Sequence, residues 1–204
     1  MQEIKKPVFN NVQNTKHITT EGKEIWENRS CAVVNHIIAQ KQNSDDPNDV
    51  SLYYIIGKRG LGVDNSNLLN IPCGYMDWNE NLEQAAKREI YEEAGFIIDN
   101  YKDKAIINFL DKPWDVNTEP IENRQNIVMH IGFLFLVGEN EELPTLSLDN
   151  MEPDECLSVE WMEINDIFNS NDTDWAFNHK AKAIEFLSYL NDITEFEKII
   201  QAQK

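Results

Sequence analysis

The sequence predicts an α/β fold in which a mixed β-sheet is held between helices and a helical segment closes the C-terminus. Three observations carry that expectation. Short apolar runs lie on both sides of one strongly patterned helix, that helix is bracketed by capping residues, and apolar residues recur at helical spacing after Trp175. Taken in chain order, residues 1–30 are polar without clear periodicity and read as an extension with room for a short strand. The run from Cys31 to Ala39 reads as a buried strand, the segment Gln42–Asp49 as a loop by composition, and Leu52–Gly57 as the next strand. Leu69–Cys73 leads into the central helix, read from Leu82 to Ala94. Asn81 suits its N-cap, and Gln84 three residues on can return the bond in a capping box. Leu82, Ala85, Ala86, Ile90 and Ala94 form its apolar stripe, and Gly95 stands where a left-handed residue ends a helix. Ala105–Leu110, Ile127–Val137 and Leu157–Met162 read as later strands, and Ala181, Ile184, Leu187 and Leu190 as one or two terminal helices. The resulting division is an extension (1–30), a core domain (31–168) and a C-terminal helical segment packed on it (169–204).

Composition limits the function classes. The chain has 204 residues, the length of one domain with extensions. Its 36 acidic and 18 basic residues give a net charge of −18, which repels phosphate-rich polymers and argues against nucleic acid as a partner. Cys31, Cys73 and Cys156 show neither disulfide nor zinc spacing and suit a reducing compartment. No apolar run has the form of a signal peptide or the length of a membrane span, so a cytoplasmic protein without membrane contact is expected.

The central helix carries the chemistry. Glu89, Glu92 and Glu93 stand at i, i+3 and i+4, on one helical face. Two such charges about 6 Å apart in a partly dehydrated cleft, at an effective dielectric of about 20, repel by roughly 3 kcal/mol. A hard divalent cation turns that repulsion into binding, because Mg²⁺ takes carboxylate oxygens and keeps waters for substrate phosphates. A solvated acidic face is the bland reading in so acidic a chain, and the spacing around the triplet outweighs it.

That spacing is Gly74, five residues, Glu80, seven residues, Arg88-Glu89, the aliphatic Ile90, one residue, Glu92-Glu93, one residue, Gly95. It resembles the Nudix box without a gap; Phe96 departs softly, where a branched aliphatic is commoner, and Cys73 stands where many members carry a second glycine. The resemblance implies an α/β/α sandwich with a mixed β-sheet and a C-terminal helical extension. It also implies hydrolysis of a diphosphate linkage in a nucleoside diphosphate derivative, with Mg²⁺ as cofactor and Mn²⁺ as a substitute. Carried over residue by residue, Glu89, Glu92 and Glu93 are the metal ligands, and Arg88 completes the catalytic set by orienting Glu89, with Glu80 as its own partner. Glu89 is one candidate general base, varying as the base does between members. Gly74 lets backbone approach phosphate or metal, and Arg59 resembles the arginine many members place near the substrate phosphates.

Outside the box the signals are weaker. Glu155, in the stretch Glu152-Pro-Asp-Glu155, stands where members often carry an extra acid, although a solvated carboxylate is the commoner reading. His36 and His130 lie in apolar strands and read as core histidines, and Gly57–Gly62 as a turn rather than a phosphate loop. Trp114 beside Pro113 is a candidate base-stacking residue. The segment Trp175–His179 is similar to one near the end of several ADP-ribose and nicotinamide-dinucleotide-type members, so ADP-ribose or a similar compound is the favoured small-molecule substrate. Alternatives are a house-cleaning pyrophosphatase acting on nucleoside triphosphates or dinucleotides, and a non-catalytic ligand-sensing domain. A sensor that regulates transcription needs a DNA-binding part, and the C-terminal segment is short and poor in basic groups. Members are often homodimers, which makes a homodimer a further expectation of the resemblance.

Overall fold

Residues 14–46, 48–120, 126–149 and 154–202 are described by a computed structural model, with side chains described as far as residue 193. The first part of the expected extension (1–13) and Glu152 lie outside the described residues. The described chain begins with a hairpin, β1 (Thr15–Ile18) and β2 (Glu24–Glu27), which forms a small sheet of its own. The main sheet is built from β3 (Cys31–Gln42), β4 (Val50–Arg59), β5 (Leu69–Asn70) and β6 (Cys73–Tyr75). Helix α1 (Leu82–Ala94) follows, then β7 (Ala105–Phe109), β8 (Asp115–Asn117), β9 (Ile127–Val137) and β10 (Cys156–Glu163). The chain closes with α2 (Ile164–Asn169) and α3 (His179–Ala202).

The sheet order is β10-β4-β3-β9-β7, with β5 paired to β4, β6 to β3 and β8 to β9. Among the described strands only β3 and β9 run parallel, so the sheet is mixed as expected. These two are the most continuously apolar strands, because a central parallel pair is covered on both faces. Successive residues alternate between the faces. Ile37, Ile55, Ile131, Phe133 and Phe135 pack with Ala86, Ile90 and Ala94 of α1. Val34, Ile38, Tyr54, Ile56 and Leu134 pack with Ala183, Phe186 and Leu190 of α3. The result is the α/β/α sandwich with a terminal helix on one face.

Helix α1 has the predicted limits. The Asn81 side chain accepts from the Gln84 N–H, and the Gln84 side chain accepts from the Asn81 N–H, both at 2.9 Å. Gly95 at φ 63° closes the helix, its N–H donating to the Tyr91 carbonyl. Asn81→Ala removes the cap and should cost about 1 kcal/mol, a melting temperature lower by roughly 2–4 °C on a thermal scan.

One expectation is corrected. Trp114 is not an open platform for a base: its indole stacks on Tyr189 of α3 and contacts His36, His130 and Phe186. An aromatic ring beneath an apolar helix face gains more from burial than from a solvent-facing position. His36 and His130 are core residues as expected. They bond to one another at 2.9 Å, and His36 also bonds to the Tyr54 hydroxyl.

Candidate active site

The box residues form a loop and helix that meet the edge of β3. Strand β6 pairs with β3 through Gly74 opposite Val33, which brings the strand against the inner face of α1. Glycine is required there by a close approach: a Cβ on Gly74 would stand 2.2 Å from the nearer Glu89 carboxylate oxygen. Gly74→Ala must therefore displace Glu89 or the strand. We expect turnover to fall by on the order of 10²-fold while circular dichroism shows the fold retained.

Arg88 organises the acids. Its Nε donates to Glu80 Oε1 at 2.6 Å and its Nη2 to Glu80 Oε2 at 2.9 Å, a forked pair. Nη1 donates to Glu89 at 2.7 Å and to Glu92 at 2.9 Å, and Nη2 also reaches the Tyr75 carbonyl at 2.8 Å. Hydrogen bonds from Arg88 hold the Glu80 carboxyl below its ordinary range. Glu89 is 7% exposed, and burial pushes its carboxyl up to about 7 against the opposing pull of Arg88. Burial, and then the Glu89 charge, raise Glu93 to about 8, while its Oε2 accepts the Cys73 N–H at 3.0 Å. Glu155 adds to that rise, so the late loop brings a further acid towards Glu93. The loop is tied down by the Gly60 N–H donating to the Glu155 carbonyl at 2.7 Å.

Helical spacing alone suggests three carboxylates side by side. Glu89 and Glu93 do face inward, whereas Glu92 turns to Arg88, and among the described residues no three His, Cys, Asp or Glu side chains gather as a ready-made metal cage. With only protein charges present, like carboxylates separate and the guanidinium takes two of them. The donor set still fits a hard cation. Burial opposes the charge on both Glu89 and Glu93, the Glu89 charge adds to it at Glu93, and a divalent ion offsets both effects.

A pocket of about 530 Å³ adjoins these acids, sharing Cys73 and Gly74 with them. It is lined by the apolar Ala32, Val33, Val34 and Val128 and by the amides of Asn117, Asn126 and Asn178. Two imidazoles line it in the neutral form. Burial and then the Lys182 charge hold His130 down to about 4, and burial and then the His130 charge hold His179 down to about 3. Of its two cations, Lys182 is matched by Asp115 at 3.0 Å and Glu185 at 2.6 Å. Arg59 makes no ion pair among the described residues: Nε donates to the Asp64 carbonyl at 2.6 Å and the guanidinium lies 4.7 Å over the Phe177 ring.

Of the sequence-predicted set, Arg88, Glu89 and Glu92 are bonded together, Glu93 lies near Glu89 and Arg59, and Gly74 and Arg59 line the pocket. Phe177, Asn178 and His179 line the same pocket, and sequence reasoning did not single them out as site residues. The available signal was the terminal Trp175–His179 segment.

A family model for the NUDIX domain matches residues 37–185. Solved structures share the fold. The NUDIX domain of Shewanella oneidensis NrtR, complexed with ADP ribose, is 14% identical with a TM-score of 0.53, covering 79% of this chain and 88% of that one. A C. elegans Ap4A hydrolase is 15% identical with a TM-score of 0.53, covering 80% and 98%. RenU, a Nudix hydrolase from M. smegmatis, is 14% identical with a TM-score of 0.53, covering 88% and 96%.

Proposed function

The chain belongs to the NUDIX family and is a Nudix hydrolase, and from that premise we propose that it hydrolyses the diphosphate linkage of ADP-ribose or a closely similar nucleoside diphosphate derivative. The observation that carries the substrate class is the pocket beside the acids, in which Lys182 is already paired while Arg59 has no ion-pair partner among the described residues. Arg59 in the lining suits a phosphate oxygen, and the apolar residues and amides beside it suit an uncharged ribose or base. A polyphosphate tail entering the same pocket would find Lys182, the other lining cation among the described residues, already matched by Asp115 and Glu185. The ADP ribose complex of the Shewanella domain is in keeping with this choice.

Glu89, Glu92 and Glu93 would hold Mg²⁺, or Mn²⁺ in its place. When bound, the ion neutralises phosphate oxygens and lowers the pKa of the attacking water. The chain supplies the rest. Arg88 orients Glu89 and keeps Glu92 within reach of it, Glu80 fixes the guanidinium, and the Cys73 N–H sets the direction of Glu93. Glu89 is the candidate proton acceptor, with Glu155 as a further carboxylate near Glu93. Water adds to one phosphorus, the bridging P–O bond breaks, and ADP-ribose yields AMP and ribose 5-phosphate.

The test is turnover of ADP-ribose, sugar nucleotides, NADH, dinucleoside polyphosphates and nucleoside triphosphates side by side with Mg²⁺. We expect kcat/KM for ADP-ribose or a close analogue to exceed that for nucleoside triphosphates by roughly 10²-fold. Preference for triphosphates would overturn the substrate assignment and favour a house-cleaning role.

A further inference from the structure

The turn that leads into α3 has a conformation that its residues do not favour. Phe177 and Asn178 are both left-handed, at φ 54° and 63°, and the His179 N–H closes the turn on the Ala176 carbonyl at 2.9 Å. Asparagine tolerates that region, but a bulky aromatic residue there is an outlier that persists only where its surroundings impose it. The surroundings do impose it. On one side the Ala176 N–H donates to the Leu69 carbonyl at 2.8 Å, and on the other His179 Nδ1 accepts the Ile71 N–H at 3.0 Å. Both anchors belong to the segment that leads directly into Cys73 and Gly74.

The strained conformation sets the Phe177 ring between two groups of the pocket. His179 is 5.4 Å away by ring centroids, and the Arg59 guanidinium lies 4.7 Å above the ring. Arg59 is therefore fixed by an aromatic face and by one backbone carbonyl, neither of which cancels its charge. In a chain of net charge −18, an arginine near Glu93 with no ion pair among the described residues is an unusual arrangement. It leaves the positive charge for a ligand.

We propose that Phe177 is a positioning residue that presents Arg59 to a diphosphate oxygen of the substrate, the left-handed turn at Phe177 and Asn178 existing to hold that ring beneath the guanidinium. This rests on the nucleoside diphosphate reading of the pocket and adds to it the element that fixes its anion contact. The ring thus acts on the phosphate through Arg59 and leaves recognition of the base to the rest of the pocket.

Calorimetric titration in EDTA separates these roles, with ADP-ribose and adenosine as probes of wild type, Arg59→Ala, Phe177→Gly and Phe177→Tyr. Glycine accepts the left-handed backbone, so Phe177→Gly deletes the ring while sparing the turn. We expect Arg59→Ala and Phe177→Gly each to weaken ADP-ribose binding by about tenfold or more, the loss of one well-placed charged hydrogen bond. Phe177→Tyr keeps the ring and should bind within about twofold of wild type. Adenosine, which lacks phosphate, should bind all four proteins alike. In turnover, Phe177→Gly should raise KM with little change in kcat. ADP-ribose binding by Phe177→Gly at the wild-type level, with Arg59→Ala impaired, would overturn the positioning role alone. An equal loss of adenosine would overturn it too, assigning the ring to the base. A wild-type protein that binds no ADP-ribose in EDTA and turns none over with Mg²⁺ would overturn the substrate reading together with the proposal.

Discussion

Glu93→Gln should lower kcat by on the order of 10³-fold while the metal-free protein melts no lower than wild type, and higher at alkaline pH. The two halves of this result come from one cause. Glu93 is held where burial and the Glu89 charge raise it from 4.5 to about 8. The folded state therefore prefers the proton more than the unfolded chain does. Stability is greatest below the ordinary glutamate value and is lost as pH rises from there through about 8. The variant's amide has no proton to lose and keeps an oxygen to accept the Cys73 N–H, so its melting temperature should pull ahead of wild type across that window. What it cannot do is give a full negative charge to a divalent ion. Thermal scans at several pH values in EDTA, beside turnover with Mg²⁺, measure both. An activity loss accompanied by a lower melting temperature at every pH would assign Glu93 a structural role.

Arg88→Ala should be the most destabilising single change in the site. Its guanidinium reaches Glu80, Glu89, Glu92 and the Tyr75 carbonyl, and Glu89 is buried. Removing one partner of a buried pair costs about 3–5 kcal/mol. The lower end is expected here, because Glu89 already sits near neutrality and can take up a proton. That corresponds to a fall of roughly 6–12 °C in melting temperature, measurable by calorimetry. Activity should be lost with it, since Glu89 and Glu92 lose their orientation. Arg88→Lys restores the charge without the planar fork and should recover part of the stability and little of the activity.

The parts of this fold legible in the sequence are those whose cause is local. Helix α1 was readable to the residue because Asn81, Gln84 and Gly95 fix its ends by bonds within one turn. The long strands β3 and β9 were readable because burial on both faces leaves a continuous apolar run. Strands β5, β6 and β8 were not, since two or three residues show no alternation and exist only by pairing with a longer neighbour. The β1–β2 hairpin is exposed at nearly every position and so carries no hydrophobic pattern. Trp114 lies against Phe186 and Tyr189 of α3, and a tryptophan in a polar loop gives no sign of that cover.

The site divides in the same way. The spacing of the box placed Glu89, Glu92 and Glu93 on a common face, but the direction Glu92 takes depends on where Arg88 can reach. Arg59 and Phe177 meet only through the fold, Arg59 ending β4 and Phe177 lying in the turn before α3. A left-handed phenylalanine has no local signature, because the residue type argues against the conformation it adopts.

Hydrolysis is measured most simply as ADP-ribose turnover by wild type with Mg²⁺, with Mn²⁺ and with EDTA, following AMP and ribose 5-phosphate as products. Equal release of both products with either metal, and none with EDTA or in Glu93→Gln, is the predicted result. ADP-ribose that raises the melting temperature yet is returned uncleaved under all metal conditions would contradict it, and would make this chain a binding domain built on a hydrolase fold.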